Sequence, residues 1–172
     1  VFGLGTRAVN RVENDYPRIV ALDAPLVKAH SDLNDARRFS QHDVDMLNLA
    51  ENRFESMPLS RVLDEGLDAR MELLGVRDTE SSDRMRAMGK PVRDFWILNF
   101  DELLSTTEFP ELMSRMLHKL ESVYEYPVDI DFTGNFNIEG KLQVNLLQCR
   151  PFQTKGQHVR VEMPERIQEN RI

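Results

Sequence analysis

Residues 126–153, YPVDIDFTGNFNIEGKLQVNLLQCRPFQ, have the pattern of a β-hairpin with two carboxylates on its first strand. Residues two apart in a strand share a face, so Asp129 and Asp131 point the same way, with Cα atoms roughly 7 Å apart. The turn is predicted at residues 138–141, where Gly140 can take the positive φ that a tight hairpin demands. The stretch therefore predicts antiparallel β-structure that presents acidic side chains on one face.

The turn also decides which residues face each other across the hairpin. With a two-residue loop at 139–140, each carboxylate faces a polar residue of the second strand: Asp131 faces Gln148, and Asp129 faces Arg150. A four-residue loop over the same residues keeps this register, whereas a loop of three or five residues breaks it.

Four polar groups on one sheet face are not what a packed sheet needs, but they suit a hard cation together with a phosphate. We therefore predict a binding site at this face, formed by Asp129, Asp131, Gln148 and Arg150. The alternative interpretation is a solvated strand face, which is the usual setting of alternating charges.

The composition indicates a soluble globular protein. The chain has 172 residues, of which 41% are hydrophobic and 30% charged; this length is enough for one domain over residues 1–172 or for two small lobes. Its net charge of −7 argues against a nucleic-acid partner. The sequence contains no apolar run of membrane-spanning length and no signal-peptide pattern. The single cysteine, Cys149, is consistent with a reducing cytoplasm, and its apolar surroundings indicate a core residue.

The hydrophobic pattern predicts an α+β fold with mostly antiparallel strands and packed helices. Helices are predicted over residues 31–38 with Ser31 as the cap, 60–75, and 109–124 with Pro110 in the first turn. Strands are predicted over residues 18–22, over 94–100, and in a second hairpin formed by VDMLNL (44–49) and FESMPL (54–59). Residues 78–90, DTESSDRMRAMGK, are polar and are predicted to form a mobile loop.

A glycine loop, GLGT, lies near the start of the chain, with Gly3 and Gly5 as its glycines. It is similar to the backbone nests that hold phosphates, although a plain turn is at least as good an interpretation. Arg7 and Arg11 share a face if the segment after the loop is helical, but arginines are common on protein surfaces. The four histidines show no metal-ligand spacing.

Two stretches resemble a known family. FGLGTRAVNRVENDYPR near the start and YPVDIDFTGNF…NLLQCRPFQ near the end are similar to the ATP-grasp nucleotide-binding region of phosphoenolpyruvate synthases and pyruvate phosphate dikinases. In that family, an Asp-x-Glu strand and a following Gln-x-Arg-Pro strand supply metal and phosphate ligands. Asp129 and Asp131 fall on the acidic positions, Gln148 on the glutamine, and Arg150 and Pro151 on the arginine-proline pair.

The resemblance implies that the chain is the C-terminal lobe of an ATP-grasp domain, with ATP and Mg²⁺ as its cofactors. In such enzymes a phosphoryl group passes from ATP to a histidine on another domain of the full-length protein, and then to pyruvate on a third. The resemblance implies these site residues: Asp129, Asp131 and Gln148 at the metal; Gly3, Gly5, Arg7, Asp129 and Arg150 at the nucleotide; and Arg150 in catalysis.

Some features depart from the family pattern. Asp131 stands where the family usually has the longer Glu, and Thr6 and Arg7 stand where many relatives have an acidic residue. The chain opens at VFGLGTRAV without an initiating Met, so we expect a piece of a longer protein that catalyses no turnover alone. Two other interpretations remain open: a degenerate nucleotide-binding or regulatory module, and a non-catalytic scaffold.

Overall fold

The computed structural model describes residues 1–9, 15–28, 32–66, 70–91 and 94–153. Over these residues the fold is α+β, as the sequence predicts. The helices are α1 (Thr6–Val9), α2 (Leu33–Phe39), α3 (Leu59–Asp64), α4 (Met71–Leu74), α5 (Thr79–Ala87), α6 (Asp101–Thr106) and α7 (Phe109–Tyr124). The strands are β1 (Asp43–Asn48), β2 (Arg53–Pro58), β3 (Val76–Arg77), β4 (Trp96–Ile97), β5 (Val128–Phe136) and β6 (Leu142–Pro151).

Each described sheet is an antiparallel pair of strands, β1 with β2, β3 with β4, and β5 with β6. The sequence predicts one domain over residues 1–172, and the chain divides into two compact units, Val1–Arg115 and Met116–Ile172. Among the described residues, no helix is both long and apolar enough to cross a membrane.

The predicted second hairpin is confirmed by β1 and β2. Its turn follows Asn48, whose side-chain oxygen accepts the backbone N–H groups of Ala50 and Glu51, both at 3.1 Å. Val44 of β1 is only 2% exposed and lies in the hydrophobic core of the first unit. The other buried members of this core are Leu59, Val62, Met71 and Leu98.

The helix predicted over residues 60–75 is instead two short helices, α3 and α4. Gly66 follows α3 with a φ of 85°, a left-handed conformation that ends a helix. The apolar residues still face inward, because Val62 of α3 and Met71 of α4 are both buried. Residues 67–69 lie outside the described residues.

Two predicted strands are wrong or shorter than expected. Residues 18–22 form no strand; Ile19 is 69% exposed, and turns follow in which Ala24 N–H bonds to Ala21 O at 3.1 Å. The strand predicted over 94–100 is only β4, although Ile97 is buried as expected. It stops early because Phe100 takes a φ of 59° and leads directly into α6.

Two other helices lie at the positions that the sequence predicts. The clearest predicted helix, 109–124, is confirmed by α7, and Pro110 lies in its first turn. The helix predicted over 31–38 is α2, whose N-cap is Asp32: its side chain accepts the Asp35 N–H at 2.8 Å. Ser31, the predicted cap, lies outside the described residues.

The predicted mobile loop over residues 78–90 is wrong, because this segment forms α5. Its N-cap is Asp78, which accepts the Ser81 N–H at 3.1 Å and the Ser81 hydroxyl at 2.6 Å. Arg37 of α2 also donates two hydrogen bonds, of 2.7 and 2.8 Å, to the Asp78 carboxylate. No residue of α5 is buried, so its sequence shows no apolar residues at helical spacing. The helix depends on polar contacts instead.

The α2–α5 ion pair makes a testable contribution to stability. Arg37, with help from Ser81, lowers the pKa of Asp78 from 3.8 to about 2. The stabilisation is therefore present above pH 4 and is lost as the pH falls from about 4 to about 2. We expect Asp78→Asn, which keeps the cap, to lower the free energy of unfolding at pH 7 by about 2 kcal/mol.

Denaturant unfolding between pH 2 and pH 7 measures this loss. The matched control is Asp83→Asn, which removes the exposed pair with Arg86 on the same helix and should change stability by less than about 0.5 kcal/mol. Equal effects of the two substitutions at pH 7 would contradict this account of α5.

Candidate functional site

The β5–β6 hairpin brings together the four polar residues that the sequence places in a site. Asp129 pairs with Arg150 and Asp131 pairs with Gln148, so both predicted pairings are confirmed. All four residues belong to the second unit, and none of them is buried.

The turn of this hairpin differs from the prediction. The last paired strand residues are Phe136 and Leu142, so five residues, 137–141, connect the strands. Gly140 has the expected positive φ, 75°, and its N–H donates to Asn137 O at 2.8 Å. The Asn137 side chain accepts the Lys141 N–H at 2.8 Å and closes the loop.

A β-bulge restores the register that a five-residue loop would otherwise break. Phe132 faces Leu146, whereas the neighbouring Asp131 faces Gln148, so Leu147 is one extra residue on β6. Without this bulge, each carboxylate would face an apolar residue of β6. The sequence carries a signal for it: Leu146 and Leu147 are consecutive apolar residues that interrupt the alternation of the strand.

With this register, the two faces of the hairpin differ sharply in chemistry. One face, here called the polar face, consists of polar pairs: Asp129 with Arg150, Asp131 with Gln148, Thr133 with Asn145, and Asn135 with Gln143. The opposite face is apolar, and Cys149 lies on it, half-buried rather than in a closed core. None of the four candidate residues on the polar face is buried, so the candidate site is an accessible surface that other groups can approach.

Asp129 and Arg150 form the strongest contact on the polar face. The Nε and Nη2 atoms of Arg150 donate to Asp129 Oδ2 at 2.9 and 2.8 Å. The hydrogen bond to Asp129 and the negative charges of Asp129 and Asp131 raise the pKa of Arg150 above its ordinary value. The side chains are 41% and 56% exposed, so this pair adds little to stability and can rearrange when a ligand arrives.

The glycine loop of the first unit is a shaped segment docked on β1. Gly3 forms a parallel bridge with Asp45, and Leu4 N–H donates to Asp45 O at 2.8 Å. Gly3 has a φ of 85°, and an added Cβ would lie 2.6 Å from Asp45 O. By contrast, an added Cβ at Gly5 meets no atom of the described part of the chain within 4 Å, so none of those residues fills that side of the loop.

The arginines after the loop are placed less completely. Arg7 belongs to α1, a helix of four residues, and Arg11 lies outside the described residues. The glycine loop belongs to the unit Val1–Arg115 and the hairpin to the unit Met116–Ile172.

A comparison with protein families identifies the chain. The family model for the AMP/ATP-binding domain of pyruvate phosphate dikinase matches residues 1–171. The chain belongs to this family. Comparisons with curated proteins and with solved structures give no significant match.

The donor set on the polar face, two carboxylates with an amide oxygen, is of the kind that suits Mg²⁺ together with a nucleotide phosphate. Among the described residues, no group of three or more His, Cys, Asp or Glu side chains could enclose a metal ion. Mg²⁺ is usually held by one or two carboxylates, with phosphates and water completing its shell. The side chains of Asp131 and Gln148 make no hydrogen bond to described residues, so their oxygen atoms are available for such a role.

Sequence patterns do not predict two residues that shape the glycine loop of this dikinase-family chain. Gln41 and Asp45 are buried beside the loop although both are polar. Their partners are far away in the sequence, and a single polar residue carries no periodic signal. Only the tertiary contacts reveal them.

The two glycines of the loop give a matched test of its shape. We expect Gly3→Ala to lower the free energy of unfolding by roughly 2–4 kcal/mol, since it adds a left-handed strain and a backbone clash. Gly5→Ala, which has open space and no positive φ, should cost less than about 1 kcal/mol. Thermal or denaturant unfolding measures both, and equal losses would contradict the docked conformation.

Proposed function

We propose that this chain is the ATP- and Mg²⁺-binding part of a phosphotransferase of the phosphoenolpyruvate synthase and pyruvate phosphate dikinase type. In this proposal it forms the C-terminal lobe of an ATP-grasp domain. The observation that carries the proposal is the polar face, on which two carboxylates stand opposite a glutamine and an arginine in a chain of this family.

In the proposed site, Asp131 and Gln148 would provide oxygen ligands, since their side chains make no hydrogen bond to the described residues. Mg²⁺, when bound, offsets the negative charge of the ATP phosphates during transfer. Because Asp is one methylene shorter than Glu, the Asp131 carboxylate reaches the ion through a water molecule if its direct approach falls short. The role of this residue is then to hold and orient that water.

Asp129 and Arg150 act as a pair with two arrangements. In the described structure they bind each other, which keeps the arginine fork on the polar face. If Asp129 were to help hold a metal ion, the Arg150 guanidinium would be free to bind a phosphate oxygen through two donors. Exchange of one charged partner for another keeps both groups paired, so the rearrangement costs little at this exposed position.

The acceptor steps lie outside this chain in the proposal. A phosphoryl group of ATP passes to a histidine on another domain of the full-length protein, which is expected in the cytoplasm, and from there to pyruvate. The described residues would bind and orient the nucleotide, and Arg150 would stabilise charge on the transferred group.

A second candidate function is nucleotide binding without phosphoryl transfer. Two departures from the family pattern favour it: Asp131 is shorter than the usual Glu, and Thr6 and Arg7 stand where many relatives have an acidic residue. In this case the intact protein binds Mg²⁺·ATP, but no phosphohistidine forms.

Phosphoryl transfer from β-labelled ATP in the intact protein tests the proposal. We expect Asp131→Asn, which removes a negative charge and keeps the shape, to lower histidine labelling at least about tenfold. The matched control is Asn135→Ala, on the same strand and face but outside the proposed site, which should label like the wild type.

Equal labelling of the wild type and Asp131→Asn would contradict the metal assignment. Calorimetric binding of Mg²⁺·ATP to the same proteins separates the two candidate functions. Binding without labelling in the wild type supports the non-catalytic module.

A further inference from the structure

The glycine loop, residues 3–6, is held in place by side chains that lie outside it. Gln41 is 4% exposed and uses its whole amide for this purpose. Its Oε1 accepts the Phe2 N–H at 2.8 Å, while its Nε2 donates to Phe2 O at 2.7 Å and to Asp43 O at 2.8 Å. A single buried side chain therefore joins the backbone just before the loop to the backbone of β1.

Asp45 holds the other end of the loop. Its backbone oxygen accepts the Leu4 N–H at 2.8 Å, and its side-chain Oδ2 accepts the hydroxyl of Thr6. Asp45 is 5% exposed, and a buried carboxylate is stable only when donors satisfy it. The Thr6 hydroxyl thus couples the last loop residue to a charged group in the core of the first unit.

We propose that Gln41 and Asp45 are positioning residues that hold the glycine loop ready to bind a nucleotide phosphate. The inference rests on the proposed function, and it assigns to these residues a role beyond stability. Ordering a free backbone costs conformational entropy. A loop that is already ordered by Gln41 and Asp45 does not pay this cost when the phosphate binds.

The open side of the loop is where the phosphate would approach. An added Cβ at Gly3 would meet β1, whereas an added Cβ at Gly5 would meet no atom of the described residues within 4 Å. The loop thus has a fixed side and a free side. Thr6, next to the free side, connects the two through its hydroxyl bond to Asp45.

Thr6 provides the test, because it is exposed at the surface and its hydroxyl donates to the buried Asp45 carboxylate. Thr6→Val keeps the shape and removes the hydroxyl; Thr6→Ser keeps the hydroxyl. We expect the Kd of Mg²⁺·ATP for the intact protein, measured by calorimetry, to rise about tenfold in Thr6→Val and to stay within about twofold in Thr6→Ser.

A double-mutant cycle separates positioning from direct contact. We expect Asp45→Asn and Thr6→Val each to weaken binding, and their losses to be less than additive, because the two residues share a hydrogen bond. Losses that add up would overturn the inference, since Thr6 would then touch the ligand itself. If Asp45→Asn does not fold, the Thr6→Val and Thr6→Ser pair decides alone.

The remaining outcomes distinguish this inference from the proposed function. If the wild type binds Mg²⁺·ATP and Thr6→Val binds equally well, the positioning role is overturned and the proposed function stands. If the wild type does not bind Mg²⁺·ATP, both are overturned. Thermal unfolding of each variant, with a Tm near that of the wild type, confirms that an affinity change does not reflect a loss of folded protein.

Discussion

A single extra residue, Leu147, sets the register of the β5–β6 hairpin and so decides which side chains share its polar face. The five-residue loop by itself would turn the polar residues of β6 away from Asp129 and Asp131. The bulge adds one residue on β6 and brings Gln148 and Arg150 back opposite the carboxylates. Strand side chains alternate between the two faces of a hairpin. Without the bulge, polar and apolar residues would be mixed on each face; with it, one face is polar and the other is apolar.

The glycine loop shows the same dependence of a site on contacts made elsewhere. Its conformation requires Gly3 at the point where the backbone presses on Asp45, and it requires Gln41 to satisfy the backbone of Phe2. The hairpin and the glycine loop both place flexible or charged groups at an accessible surface, and neighbouring parts of the protein hold these groups in position. In the hairpin the support is the register of two strands, and in the loop it is a pair of buried polar side chains. Such preorganisation lowers the cost of binding a highly charged ligand.

Sequence patterns predict the parts of this fold that carry a periodic signal. Helix α7 and both long hairpins follow from apolar spacing and from turn residues such as Gly140. Helix α5 does not, because it buries no residue and depends on its Asp78 cap and the Arg37 ion pair, which joins positions far apart in the chain. The pairing of Asp131 with Gln148 was predicted from a two-residue loop that does not exist; the longer loop and the bulge compensate. Gln41 and Asp45 were missed because only tertiary contacts define their roles.

The most direct measurement is the NMR spectrum of the intact protein with Mn²⁺·ATP in place of Mg²⁺·ATP, since Mn²⁺ broadens the signals of nearby nuclei. The account predicts strong broadening at the amides of Asp131 and Gln148. The hairpin turn at Gly140 lies about 20 Å away along the strands and should be broadened far less, because the effect falls steeply with distance, which makes it an internal control. Broadening that spares Asp131 and Gln148 while ATP is bound would contradict the assignment of the polar face as the metal–nucleotide site.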